Sequence, residues 1–344
     1  MAKFTHLHVH SHYSLLDGLP KIDELINRAK ELNFESLALT DHGAMYGIPE
    51  FYKTATANGI KPIIGVEVYV AAESRFQKRA KIDNRNFHLT LLAKNEKGYK
   101  NLLQLVTRSH LEGFYYKPRV DKELLSEYHE GVIALSGCLA GEISRLIVAN
   151  RLDEAEEKIK EYQKIFGEDF YLEINYHPKI EESRIVKEQL IHFSKKFGIP
   201  AVATYDTHYL KPEDAEAHDI LLAVQTGNKV YEEDRLTLSA DDFSFCPTER
   251  MEELFYDFPE AVENTQLIAE KCNVELEFGK TLLPYFEVPL GETPESYLRK
   301  LCEENLPKRF TKITPEITDR LNYELGVIEK TGFASYFLIV EDFV

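Results

Sequence analysis

Phe4-Thr5-His6-Leu7-His8-Val9-His10-Ser11-His12 is the stretch that decides how the rest of the chain is read. Drawn out as a strand it alternates imidazoles with other side chains. Because successive side chains of a strand point to opposite faces, His6, His8, His10 and His12 would share one face, with Leu7 and Val9 turned towards the core. A lone histidine in a strand is commonly a satisfied core or surface residue. Four within seven residues suggest a shared task. Neutral imidazole is a good ligand for zinc, manganese or iron, and two imidazoles two residues apart on a strand can reach one ion.

Outward from this run, short apolar stretches alternate with helical patterns, the order that builds a parallel sheet or barrel. After Pro20, the residues Ile22, Leu25, Ile26, Ala29 and Leu32 recur at helical spacing. Strands are expected over residues 36–40, 62–70, 89–93, 132–136, 170–175 and 200–204. With the first run that makes about seven, one fewer than the (β/α)8 barrel, so the expected fold class is α/β, an irregular seven-stranded (β/α)7 barrel. Beyond Leu210 a short helix near 215–224, a polar loop over 227–247 and a helix over 259–272 complete the barrel region. Residues 279–291 read as a linker. From Thr293 two helical patterns run towards Phe343, and the chain stops in an apolar stretch without a terminal signal, which reads as a truncation. The expected division is a domain over 1–280, a linker over 281–292 and a mainly helical segment over 293–344.

Composition narrows the function classes. The 344 residues are 44% hydrophobic and 29% charged, ordinary for a folded soluble domain. No apolar run approaches the ~20 residues of a membrane span, and the amino terminus has no signal-peptide core, so a cytoplasmic location is expected. The four cysteines form no C-x-x-C pair, which argues against a disulfide framework or a zinc ribbon. A net charge of −17 argues against a generic basic nucleic-acid coat. Any contact with DNA must be local.

Further chemistry-bearing residues lie at strand ends. Thr40-Asp41-His42-Gly43 directly follows a strand, where α/β barrels place catalytic groups, although Asp and Gly are also common turn residues. Glu67 is a carboxylate inside an apolar strand, costly unless paired or metal-bound; bridging two cations would stabilise it. Asp206-Thr207-His208 follows the last strand and repeats the two-residue spacing of His8 and His10. Between them come His88, beside an apolar run, and Cys138 in Ser136-Gly137-Cys138. His88 stands before its run, so a parallel strand would put it at the wrong mouth of the barrel; either that strand runs the other way or the run begins elsewhere.

In this order, H-x-H, T-D-H-G, G-V-E, S-G-C and D-T-H-Y resemble the PHP motifs of the bacterial C-family replicative polymerases, the DNA polymerase III alpha subunits. The resemblance runs through essentially the whole chain. It includes Gly113-Phe114-Tyr115-Tyr116-Lys117-Pro118-Arg119, and the tail from Glu329 to Val340 resembles the start of a polymerase palm domain. It implies the PHP fold and nine ligands for three divalent ions (Zn, Mn or Fe). These are His8, His10, Glu67 and Asp206 on one ion, Asp17, His42 and His208 on a second, and Glu67, His88 and Cys138 on a third. His8, His10, Glu67 and Asp206 would be catalytic through bound metal. His6, His12 and Asp41 have no place in that pattern and are assigned to packing or to hydrogen bonds behind the ligands.

The activity so implied is metal-dependent phosphoester hydrolysis, acting as a 3′–5′ proofreading exonuclease on DNA. Two or three cations ~4 Å apart can activate water and hold a phosphate. The palm carboxylates should lie beyond Val344, so this segment alone should not extend a primer. The implied partners are a DNA primer 3′ end, the remaining polymerase domains and other replisome subunits such as a sliding clamp or a proofreading subunit; no membrane is implied. Lys117 and Arg119, with the basic run Arg75, Lys78, Arg79, Lys81 and Arg85, could steer a DNA backbone or form a solvated charged loop. Tyr115 and Tyr116 could stack on a frayed base or pack the loop. Three other readings stay open: a histidinol-phosphate-type phosphatase, which has no reason to carry the tail after Thr293; a non-catalytic, metal-stabilised scaffold; and a pyrophosphatase.

Overall fold

One curled sheet holds seven strands: β1 (Ser36–Leu39), β2 (Lys61–Ala71), β3 (Asn86–Ala93), β4 (Arg119–Val120), β5 (Val132–Leu135), β6 (Phe170–Asn175) and β7 (Ala201–Thr204). The computed structural model describes residues 4–232, 234–280 and 284–344; residues 281–283 of the expected linker lie outside them. The strand order is β1-β2-β3-β5-β6-β7, with β4 paired to β2. The histidine run closes the ring between β1 and β7. On one side Ala38 and Thr40 donate their N–H groups to the carbonyls of His6 and Val9. On the other, Thr207 donates to His8 and His10 donates to Thr207, all at 2.9–3.2 Å. It is a stave with one bridge, Val9 to Thr207, rather than a full strand.

β3 runs antiparallel to both of its main neighbours, β2 and β5. Its reversed direction carries His88, opposite Tyr69 of β2, to the mouth where the other strands end, and this settles the difficulty that its sequence position posed.

The interior is layered. Leu7, Ala38, Ile63, Leu92, Ile133 and Val202 form a buried cluster with Ile268, Ala269 and Cys272, contributed by a helix over Glu260–Lys271 and its cap. That helix plugs one mouth. Further along the same faces, at alternate positions, come Glu67 on β2, Thr90 and His88 on β3, Glu173 and Asn175 on β6, and Thr204 and then Asp206 on β7. The barrel interior is therefore apolar at the plugged end and polar at the open one.

Strict alternation in the first run fails at His8, where the chain bends. His6 lies outside: its ring stacks on Phe245 at 4.1 Å and its Nε2 is 2.9 Å from the carbonyl of Cys246. Leu7 is inside, and after the bend His8 and His10 enter the interior while Val9 joins the outer core. His12 lies against Tyr13 at 4.3 Å. The single histidine face is thus corrected to two inward imidazoles. Outside the sheet, Ile22, Leu25, Ile26 and Ala29 of the helix over Ile22–Glu31 are buried, as their spacing indicates.

Glu277–Val344 is a second compact unit. Helices over Pro294–Arg309, Pro315–Thr331 and Ala334–Phe343 pack around Leu298, Leu325, Ala334 and Leu338. Gly332, at φ +73°, ends the second of these in the left-handed region that glycine tolerates. The two expected helical patterns are therefore three helices. No helix among the described residues is long and apolar enough to cross a membrane.

Candidate metal centre

The open mouth gathers side chains from every main stave. His8 Nε2 lies 3.2 Å from Glu67 Oε1 and 3.5 Å from Asp206 Oδ1. His10 Nε2 lies 3.2 Å from Asp206 Oδ1 and 3.7 Å from Glu67 Oε2. Asp17 reaches in from the loop after the histidine run, with Oδ2 3.0 Å from His42 Nε2 and Oδ1 3.7 Å from His208 Nε2. On the far side, His88 Nδ1 is 2.9 Å from Glu67 Oε1, and Cys138 Sγ is 3.8 Å from that oxygen and 3.9 Å from His88 Nδ1. His42 Nδ1 closes on Glu67 Oε2 at 2.5 Å. All nine residues that the sequence singled out as ligands are in one cluster.

Among the described residues, three triads have ligand atoms within 4.8 Å of one another: His8/His10/Asp206, His10/His42/His208 and His42/Glu67/His88. They overlap the groupings implied by resemblance without reproducing them, because His42 stands between Glu67 and Asp17 and His10 belongs to two triads.

The donor set fits divalent cations. His8 Nε2, His10 Nε2, His42 Nδ1, Glu67 Oε2 and Asp206 Oδ1 are buried without a well-formed hydrogen bond, although they face one another at 2.5–3.7 Å. Buried polar atoms normally find partners. Lone pairs converging in this way are what a cation would satisfy. Imidazole, carboxylate and one thiol together suit zinc, manganese or iron.

Without a cation, protons take its place. Burial lowers the basicity of His8, but Asp206, Glu173 and Glu67 outweigh it and hold the imidazole well above its usual range. His42 is raised in the same way, with Tyr69, Glu67 and Asp17 overcoming burial. Burial pushes the Glu67 carboxyl up, yet His88, His42 and His8 keep it well below the usual carboxylate range. His10, buried and beside His42 and His208, is lowered to about 3 and stays neutral. Burial, with Asp206 and Glu67 nearby, pushes the Cys138 thiol up. Cation binding must therefore release protons.

Supporting residues lie just behind; Glu173 and Ser14 are ones that the sequence reading missed, and Asp41 is where it was expected. Glu173 is fully buried and sits 2.6 Å from His8 Nδ1, while accepting from Thr204 Oγ1 at 2.8 Å and Gly137 N–H at 3.0 Å. It fixes the ring so that Nε2 faces the cluster. Ser14 Oγ is 2.9 Å from His10 Nδ1 and donates to Asp41, which also accepts from Ser11. Asp41 thus orders the loop behind the ligands. Gly137, at φ +87°, lets the turn slip under β3: a Cβ there would lie 2.3 Å from the carbonyl oxygen of His88. That close approach brings Cys138 to His88.

The residues proposed for DNA contact divide. Lys117 lies 5.3 Å over the Tyr69 ring and, with Tyr13, Tyr46 and His110, lines a recess of about 170 Å³ beside Asp17 and His42. Arg119 requires correction: it is 1% exposed, and its guanidinium donates to the carbonyls of Gly113, Asp83, Arg75 and Gln77. Arg75 is likewise buried and ion-paired with Asp121 and Glu112 at 2.8 and 2.7 Å. Arg79 pairs with Asp83 and Glu73. These three arginines hold their own loop together. Lys78, Lys81 and Arg85 are exposed. Tyr115 packs edge-on against Tyr116, leaving Tyr116 outermost.

Residues 6–177 match the PHP domain family, and residues 296–344 match the bacterial DNA polymerase III alpha NTPase domain. The DNA polymerase III subunit alpha of Borreliella burgdorferi is 48% identical over 346 residues, covering 100% of this chain and 30% of that protein. The Treponema pallidum subunit is 45% identical, covering 99% of this chain and 29% of its own length. The chain thus spans about a third or less of the curated relatives it matches. A solved two-domain Bacteroides vulgatus protein containing a predicted PHP-like metal-dependent phosphoesterase is 15% identical, over 77% of this chain and 63% of its own, with a TM-score of 0.39. The chain belongs to the PHP domain family and is related along its length to the alpha subunits of bacterial DNA polymerase III.

Proposed function

We propose that the cluster holds three divalent cations and that the protein hydrolyses phosphoesters, removing 3′-terminal nucleotides from DNA as the proofreading exonuclease of a replicative polymerase. The convergence at the open mouth of five buried ligand atoms that lack a well-formed hydrogen bond carries this reading. Such cations, when bound, neutralise a phosphate and supply a nucleophilic water.

The chain's own residues set the stage for that chemistry. Glu67 presents Oε1 to His8 and His88 and Oε2 to His42, the posture of a bridging carboxylate. Glu173 keeps His8 in the tautomer whose Nε2 is free to bind. Lys117, at the rim, draws a polyanionic strand to the mouth. In the reaction a water oxygen bonds to phosphorus while the bond from phosphorus to the neighbouring O3′ breaks. O3′ takes up a proton, leaving a nucleoside 5′-monophosphate and a strand one residue shorter.

Residues 1–280 would be this phosphoesterase domain, 281–292 a linker and 293–344 the start of a polymerase palm. The match of residues 296–344 to a polymerase domain supports that division. DNA, the remaining polymerase domains and a sliding clamp are the partners this reading assigns, and a separate proofreading subunit is the partner of the scaffold reading.

The test is release of a labelled nucleotide from a mismatched 3′ primer end, with pyrophosphate and histidinol phosphate assayed alongside. Wild type should release nucleotide, and Asp206→Ala should be slower by about a hundredfold or more. Metal bound without turnover on any substrate would leave the scaffold reading. Release equal in both proteins would indicate a contaminating nuclease.

A further inference from the structure

A second recess opens over the candidate ligands, with Asp17, His42, His88, Cys138, Asp206 and His208 in its lining, and extends to the side of β6 and β7. Its volume is about 380 Å³, within the ~300–1,000 Å³ range of small-molecule sites. Leu222, Leu236, Leu238 and Phe243 make much of its wall apolar. Away from the ligands, two buried polar side chains interrupt that wall. Asn175 and His177 are 5% and 1% exposed, and Asn175 Nδ2 and His177 Nε2 have no hydrogen-bond partner among the described residues.

The chemistry of these two atoms is fixed by their surroundings. His177 Nδ1 lies 3.1 Å from the carbonyl of Asp242, which can only accept, so Nδ1 carries the proton. In the neutral ring Nε2 is then a bare acceptor. Stacking on Phe243, at 4.0 Å and 24°, holds the ring in place. Asn175 Nδ2 is a donor. At the rim stands Arg145, exposed and without a carboxylate partner among the described residues, its guanidinium 5.9 Å from the Phe87 ring centre. A free guanidinium suits a phosphate.

An apolar slot with one donor and one acceptor, opening onto a phosphoester site, matches a particular ligand class. The pairing edge of each of the four DNA bases presents a donor beside an acceptor, and enzymes that take a base out of the stack read it through that edge. We propose that this cavity seats the nucleobase of the 3′-terminal nucleotide, whichever base it is, with its 5′-phosphate towards Asp17, His42, Asp206 and His208. The inference rests on the phosphoesterase reading for its reaction and on the cavity for its ligand. It has a functional consequence. A base paired to the template has its edge occupied, whereas a frayed or mismatched one does not, so the pocket favours unpaired ends.

The test measures binding separately from hydrolysis. dTMP and dAMP are titrated against the metal-loaded full chain, with 2-deoxyribose 5-phosphate as the probe that has the phosphate and no base. The nucleotides should bind about tenfold to a hundredfold tighter, the worth of one or two satisfied buried polar groups. Asn175→Ala and His177→Ala should bring nucleotide binding down to the sugar phosphate's level with metal content unchanged. Leu238→Trp, which fills the slot without touching a buried polar group, should do the same. Equal binding of nucleotide and sugar phosphate by wild type would overturn the proposal, as would metal loss in His177→Ala, which would make that residue a ligand. Base-dependent binding without nucleotide release would leave the pocket standing and refute the exonuclease. Release without base dependence would do the reverse.

Discussion

Glu67 and Glu173 are two carboxylates set in apolar strands, each about as buried as a side chain can be. Only a partner makes that tolerable. Glu67 faces the ligand cluster and Glu173 backs His8. Removing the charge behind a ligand commonly costs 10–100-fold in metal affinity. Glu173→Gln should therefore fold normally yet lose about that much affinity, measured by competition with a chromogenic chelator. Unchanged affinity would make Glu173 a packing residue. Gly137→Ala should disturb the turn that carries Cys138, because its new methyl would meet the carbonyl of His88. Strain of this kind costs about 1–3 kcal/mol, to be seen as a lower midpoint in denaturant together with less bound metal. At this scale the sequence was legible where a residue belonged to a recognisable run, as Glu67 did in Gly65-Val66-Glu67. Glu173 emits the same signal, a charge within an apolar strand, and could have been found by it. The outward turn of His6 could not, since neither Gly nor Pro marks the bend at His8.

Elements were read more surely than their directions. The apolar pattern of β3 is the same whichever way it runs, so periodicity places the strand and leaves its orientation open; pairing with β2 and β5 decides it. The loop between β2 and β3 shows the opposite failure. Arg75 looked like part of a basic surface because its partners, Glu112 and Asp121, come later in the chain, and Arg119 because the loop carbonyls it donates to, those of Arg75, Gln77 and Asp83, come well before it. Two substitutions a pair of residues apart separate the roles. Arg119→Ala leaves four carbonyls without their donor and should destabilise by about 2–4 kcal/mol, opening the loop to limited proteolysis. Lys117→Ala should leave the melting midpoint unchanged and weaken DNA binding, with a shallower dependence on salt. Loss of DNA binding in both, without loss of stability in either, would return Arg119 to the surface.

Across the whole molecule, the barrel divides its labour along its axis: an apolar layer under a helical plug builds stability, and the polar mouth is left to chemistry. Leu7→Ala, in the apolar layer, should cost about 2–5 kcal/mol without altering metal stoichiometry. On the proposed reading the mouth draws stability from bound cations, so stripping them with a chelator should lower the melting midpoint reversibly, by the amount that mass action sets. The second expectation depends on the cluster being a true multinuclear site, for which the direct measurement is metal per chain after loading and desalting, in wild type and in Glu67→Gln. About three ions in wild type and at most one in the variant, where the bridge is lost, are expected. One ion or none in wild type, or a variant that keeps them all, would contradict the account.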